Sequence, residues 1–194
     1  MKKLLLILIF LNFNFIHVSS VEPDVFVQST VNRASEILAK NISQEEKINK
    51  LKVIAEETVD IQGVGFYSLG SARKNLNEEE KIQYLRLFEE YFLKSFSSRL
   101  SEYTNPEIDV LSKKVLSENY TIVNSVLKGT SERPEVKIDW RIYTKDPNNP
   151  LIRDLIIEGL SLARTQKEEF NSIIQNNNGD INALFKTLEE FLIK

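Results

Sequence analysis

The stretch Asp154–Phe170, DLIIEGLSLARTQKEEF, constrains this chain more than any other. It opens as an apolar run of Leu155, Ile156 and Ile157, breaks at Glu158-Gly159, and resumes with helical spacing through Leu160, Ala163, Lys167 and Phe170. A strand passing into a helix through one glycine predicts a tight junction. Only a residue without a Cβ lets backbones approach closely, or takes positive φ, at no steric cost. Such a strand needs a sheet to join and helices to cover it.

The rest of the chain supplies both, in two blocks of different period. From Pro23 to Lys40, Phe26, Val27, Val31, Ala34, Ile37 and Leu38 recur near 3.6 residues, with proline in the first turn where its missing N–H costs nothing. Ser43-Gln44-Glu45-Glu46 is a capping box that opens a second helix to about Asp60. Ile61 to Gly70 reads as a short helix or turn with little polar surface. Asn77-Glu78-Glu79-Glu80 starts a long helix whose stripe is Tyr84, Phe88, Phe92, Phe96, Leu100 and Tyr103, and Asn105-Pro106 stops it.

Beyond Pro106 the period becomes two. Residues 107–117 alternate weakly and 120–128 are β-branched and apolar. Val136, Ile138, Trp140 and Ile142 alternate cleanly with Lys137, Asp139, Arg141 and Tyr143. Turn residues at Glu118-Asn119, Gly129-Thr130 and Pro147–Pro150 space these runs as an antiparallel meander of four strands ending at Leu155–Ile157. A helix then runs from Leu160 to about Gln175 and stops at Asn176–Gly179. Asp180 caps a last amphipathic helix. Helices, sheet and helices again make one α+β domain.

Composition narrows the chemistry. The chain of 194 residues has no cysteine, so disulfides and thiolate metal sites are excluded. Its one histidine, His17, lies in a segment with the marks of an export signal: a basic start at Lys2 and Lys3, an apolar core from Leu4 to Phe15, and compact residues at Val18 and Ser20. That core is about a dozen residues, short of the roughly 20 that span a bilayer. We expect residues 1–20 to be a signal peptide cut after about Ser20, with an uncleaved anchor as the alternative, and residues 21–194 to be the working domain.

Without that segment the chain has no histidine, so Ser-His, Cys-His and histidine-based zinc chemistry are unavailable. Losing Lys2 and Lys3 takes the net charge from −3 to −5, which suits neither a phosphate backbone nor an anionic membrane surface. Gly63-x-Gly65 is too short for a phosphate loop and reads as packing. Asp60, Asp139, Asp154 and Glu158 are the remaining acid–base candidates. Asp139 shares a strand face with Lys137 and Arg141, and Asp154 adjoins Arg153, so ion pairs or caps are the expected roles. What is left is apolar and aromatic surface, which either fills a core or lines a cavity between a curved sheet and its helical roof. On residues alone the reading stops at an exported binding protein.

The junction carries a further signal. Asp154, Glu158, Gly159, Ser161, Leu162 and Phe170, with apolar Ile157, Leu160 and Ala163, resemble the D-x-x-V-E-G-V-S-L-V-x-N-Y-R-x-Q-F pattern of the MlaC, or toluene-tolerance auxiliary, family. Leu69-Gly70, Asn77, Tyr84, Phe88, Phe96 and Tyr103 resemble its L-G segment and aromatic-striped helix. Asp60 with Val64 resembles the segment before them, and Trp140 its aromatic-bearing third strand. Thr165-Gln166-Lys167 replaces the usual N-Y-R, and Arg73 stands where tryptophan is common.

The resemblance implies a nuclear-transport-factor-like fold: a highly twisted antiparallel sheet of four to five strands covered by about seven helices. It implies a soluble periplasmic phospholipid carrier with no enzyme activity and no cofactor, most simply a monomer. Such a carrier would shuttle lipid between an outer-membrane lipoprotein–porin complex and an inner-membrane ABC transporter bearing a ring of MCE domains, and so maintain outer-membrane lipid asymmetry. Both acyl chains would lie in a cavity lined by Val64, Phe66, Phe88, Phe92, Ile138, Trp140, Ile142, Leu155, Ile157, Leu160, Leu162, Phe170 and Ile174. Each of these side chains could equally be ordinary core. A hopanoid-associated relative, a periplasmic adaptor that binds only protein, and a carboxylate-based hydrolase are the alternatives.

Overall fold

The computed structural model describes residues 20–131 and 133–194. Apart from Ser20, the expected export signal lies outside them. Two helices come first, α1 (Pro23–Ala39) and α2 (Gln44–Thr58), then the short α3 (Ile61–Ser68), a 3-10 turn at Ala72–Lys74, and the long α4 (Glu78–Ser101). The starts follow local chemistry. Ser43 accepts from the Glu46 N–H at 3.1 Å without the reciprocal bond, whereas α4 closes a full capping box. There Asn77 Oδ1 accepts from the Glu80 N–H and Glu80 Oε2 from the Asn77 N–H, both at 2.9 Å, with three glutamates facing the positive end of the helix dipole.

Five antiparallel strands follow in the order β1 (Ile108–Ser117), β2 (Tyr120–Leu127), β3 (Val136–Tyr143), β4 (Leu151–Ile157) and β5 (Leu160–Ser161), each paired with the next. Two helices, α5 (Leu162–Asn176) and α6 (Ile181–Ile193), complete the chain. The fold is a single α+β domain with a five-stranded open sheet. Among the described residues it has six α-helices rather than seven. The 3-10 turn is too short to bury a face of its own.

The junction differs from its expected form. Glu158 (φ 48°) and Gly159 (φ 83°) both take positive φ, as a two-residue type I′ hairpin turn requires. Leu160 therefore turns back to pair with Ile157, and Ser161 with Ile156, before the helix begins at Leu162. β4 also starts earlier than Leu155. Opposite β3 the register skips Arg153, so that Arg141 faces Asp154 and Ile142 faces Ile152. This bulge breaks the alternation that sequence reading relies on.

Two apolar cores result. On one face of the sheet, Val123, Ile138, Trp140, Ile142 and Ile152 pack with Val27 and Val31 of α1. The Trp140 Nε1–H donates to Ser125 Oγ at 2.8 Å, and that hydroxyl donates to the Ile138 carbonyl at 3.0 Å, so the buried polar atoms are satisfied. The second core is helical, with Val64, Tyr84, Leu87, Phe88, Phe170, Ile174 and Leu184 from α3 to α6 at its centre. Gly65 belongs to this packing, as expected: a Cβ there would lie 2.8 Å from a Phe88 ring carbon. Val59, between α2 and α3, packs against both cores.

Candidate functional site

Where the two cores meet, their packing is incomplete. The seam opens as a cleft of about 190 Å³ between α4, β4 and the start of α5. Its floor is Val59, Val64 and Ile152, and its walls are Phe88, Phe92 and Phe96 of α4 against Leu155, Leu162 and Ala163. The aromatic wall is a ladder. Phe88 and Phe92 stack with ring centres 6.1 Å apart, and Phe92 and Phe96 at 5.4 Å and nearly parallel. The four-residue spacing puts the three rings above one another on one helical face. Phe170 meets Phe88 edge-on at 6.1 Å and holds the ladder from behind.

Polar groups gather around this apolar interior: Ser95, Arg99, Thr165, Gln166 and Glu169 also line the cleft. The Tyr91 hydroxyl donates to Gln166 Oε1 at 3.0 Å, and Gln166 Nε2 donates to Glu169 Oε2 at 3.2 Å. Burial and the Glu169 carboxylate push the Tyr91 phenol up, while the Gln166 bond and Arg99 pull it down.

The base of the cleft is tied on both sides. Val59 bridges to Ile152 and the Asp60 N–H donates to the Ile152 carbonyl at 2.9 Å. The bulged Arg153 reaches over the same joint. Its Nε and a terminal nitrogen lie 2.6 Å from Asp60 Oδ2, its other nitrogen donates to the Tyr120 hydroxyl at 2.5 Å, and its plane lies 3.6 Å from the centre of the Tyr143 ring. Partial burial opposes the Arg153 charge, but the bonds to Asp60 and Tyr120 outweigh it and push the pKa further up. On the far side, Asp154 accepts from the Ser161 hydroxyl at 2.7 Å and the Ala163 N–H at 3.0 Å, while Ser161 caps α5 by accepting from the Arg164 N–H at 3.1 Å. The expected pairing of Asp154 with its neighbour Arg153 gives way to these bonds.

The remaining acidic candidates also serve the fold. Asp60 caps α3 through the Gly63 N–H, Asp139 accepts from Asn124 Nδ2 at 2.7 Å, and Glu158 accepts from the Lys137 N–H at 2.5 Å. Among the described residues no cluster of acidic or histidine side chains could hold a metal, and no helix is long and apolar enough to cross a membrane.

Of the expected lining residues, the structure brings Val64, Phe88, Phe92, Leu155 and Leu162 together in the cleft. It places Ile138, Trp140 and Ile142 in the sheet core, and Phe170 and Ile174 in the helical core with Phe66 packed against it. Ile157 and Leu160 pair across the end of the β4–β5 hairpin, where Leu160 is 56% exposed. The sequence reading missed Tyr91, Ile152 and the polar mouth as cleft residues. Phe96 was visible as part of the aromatic stripe. Thr165 and Gln166 stood out only as departures from a pattern.

Comparison with known proteins agrees with this architecture. A family model, MlaC protein, matches residues 28–190. The fold is similar to a phospholipid-binding protein from Ralstonia solanacearum solved in complex with a phospholipid. The TM-score is 0.75 at 17% identity, covering 89% of this chain and 98% of that one. No curated protein sequence matches.

Proposed function

The chain belongs to the MlaC family, and from that footing we propose that it is a periplasmic phospholipid carrier that buries acyl chains at the seam between its sheet and its helices. The observation that carries this reading is the cleft itself, apolar within, polar at its mouth, and set where two separately packed cores meet. The structural neighbour bound to a phospholipid supports the choice of ligand. The lining we propose is Val64, Phe88, Phe92, Leu155 and Leu162, joined by Phe96 and Ile152.

Energetics fit a carrier. At about 0.8 kcal/mol per methylene, two acyl chains of some 30 carbons represent on the order of 25 kcal/mol of gross transfer, and a bilayer offers the same lipid a comparable amount. The protein therefore needs only a dry, apolar space that matches the membrane. At about 190 Å³ the cleft is below the ~300–1,000 Å³ of ordinary ligand pockets, so taking up chains requires α4 and α5 to part from β4. The half-buried Phe92, Phe96 and Leu155 can yield there without breaking either core.

Under this reading residues 1–20 direct export and residues 21–194 exchange lipid with an outer-membrane lipoprotein–porin complex and an MCE-bearing inner-membrane ABC transporter, which maintains outer-membrane asymmetry. The test is organic extraction and mass spectrometry of freshly purified protein. About one phospholipid per chain is the expected result. A polycyclic lipid would assign the hopanoid-associated alternative, and lipid-free protein that fails to load from vesicles would point to a protein-binding adaptor.

A further inference from the structure

The charges at the cleft mouth form a pattern that the carrier role alone does not require. Among the described residues four charged side chains line the cleft, and two of them are internally committed: Arg153 is paired with Asp60, and both oxygens of Asp154 hold donors from Ser161 and Ala163. The other two are Arg99, in the last turn of α4, and Glu169, two turns into α5. Both are exposed. Among the described residues the Arg99 guanidinium makes no ion pair or hydrogen bond. Glu169 is held through one oxygen by Gln166, which is itself fixed by Tyr91. Arg99 and Glu169 act on the same Tyr91 hydroxyl with opposite sign, so each stands within electrostatic reach of one point.

We propose that this mouth is a headgroup subsite for a zwitterionic phospholipid, with Arg99 taking the phosphate and Glu169 the ammonium of an ethanolamine-type headgroup. The inference rests on the carrier reading and adds a ligand class to it. A guanidinium matches phosphate oxygens through paired N–H donors, and a carboxylate accepts from an ammonium. One cation and one anion balance a headgroup that carries both charges. A glycerol headgroup offers Glu169 hydroxyl donors but no cation, so its one charge, on the phosphate, is left unbalanced beside the carboxylate. Because both groups face water, each discriminates modestly, by about two- to five-fold, and rising salt weakens the preference.

The experiment loads the purified full-length mature protein from vesicles of equal phosphatidylethanolamine and phosphatidylglycerol and counts both by mass spectrometry. Wild type is expected to take up phosphatidylethanolamine in about two- to five-fold excess. Glu169→Lys is expected to abolish or reverse that ratio. Arg99→Gln lowers uptake of both lipids with little change in ratio, since the phosphate is common to them. Unchanged thermal melting shows that the variants fold. Uptake in proportion to the vesicles, or a Glu169→Lys protein that loads lipid at the wild-type ratio, overturns the headgroup subsite while leaving the carrier intact. Failure of wild type to load either lipid overturns both.

Discussion

Tyr84 shows how one buried group ties stability to alkaline pH. Its hydroxyl donates to the Gly65 carbonyl at 2.9 Å inside the helical core, and burial, with a smaller contribution from Tyr91, pushes its pKa well above the ordinary 10.0. A phenol whose folded pKa is raised stabilises the native state fully below its unfolded pKa. Above pH 10 the unfolded chain releases the proton that the folded chain keeps, and stability falls. Tyr84→Phe should cost about 0.5–1.5 kcal/mol near neutral pH, because Gly65 still accepts from the Leu69 N–H. It should also flatten the decline above pH 10. Urea unfolding from pH 7 to 11 reads both effects, and an alkaline slope equal to wild type would show that another group sets the limit. Side-chain position also decides which apolar residues meet lipid. Leu162→Glu places a charge in the cleft and should strip co-purifying lipid, whereas Ile157→Glu, at the hairpin end, should leave lipid content near wild type. Quantified lipid extracts of both variants give the comparison.

At the scale of elements, the β4–β5 hairpin and the α5 cap act as one device. The Glu158-Gly159 turn returns the chain so that Ser161 lies beside β4, and Asp154 then holds both the Ser161 hydroxyl and the Ala163 N–H. That fixes the first turn of α5, and with it Leu162, Thr165 and Gln166, at the edge of the cleft. Ser161→Ala should cost about 1 kcal/mol through loss of the cap. Asp154→Ala leaves two buried donors without a partner and should cost more, about 2–4 kcal/mol. Guanidinium unfolding ranks the two, and amide exchange should speed up first at the start of α5. If Asp154→Ala were the milder change, water would have to replace the lost acceptor.

Across the whole molecule, stability depends on the seam, where the carrier reading also places the lipid. The sheet core and the helical core are joined by Val59, by the Val59–Ile152 bridge and by the Asp60–Arg153 pair, all at one end of the cleft. Under the carrier reading, the Phe92–Phe96 end is where the seam would widen, with the strapped end staying closed. A double-mutant cycle of Asp60→Asn and Arg153→Met should show coupling of about 0.5–3 kcal/mol in thermal unfolding, since the ions share a geometry that neither retains alone. Additivity of the two single changes would mean that the strap is held by its backbone bonds instead.

Much of this was readable from residue order. The period changes at Pro106 and again after Ile157 located every long helix and the central strands, because burial of one face imposes 3.6 or 2 on any chain that folds this way. The aromatic spacing Phe88-Phe92-Phe96 announced an apolar face, and the D-x-x-x-E-G-x-S run at Asp154 announced the junction. Local chemistry could not say that Arg153 is a bulge, that Leu160 turns outward, or that Trp140 and Phe170 pack in separate cores. Those outcomes depend on which strand neighbours which and on how far two packed layers can approach. The cleft is the gap left between those layers. Sequence periodicity marks which faces avoid water, but only tertiary packing determines whether two such faces close on each other or leave room for a guest.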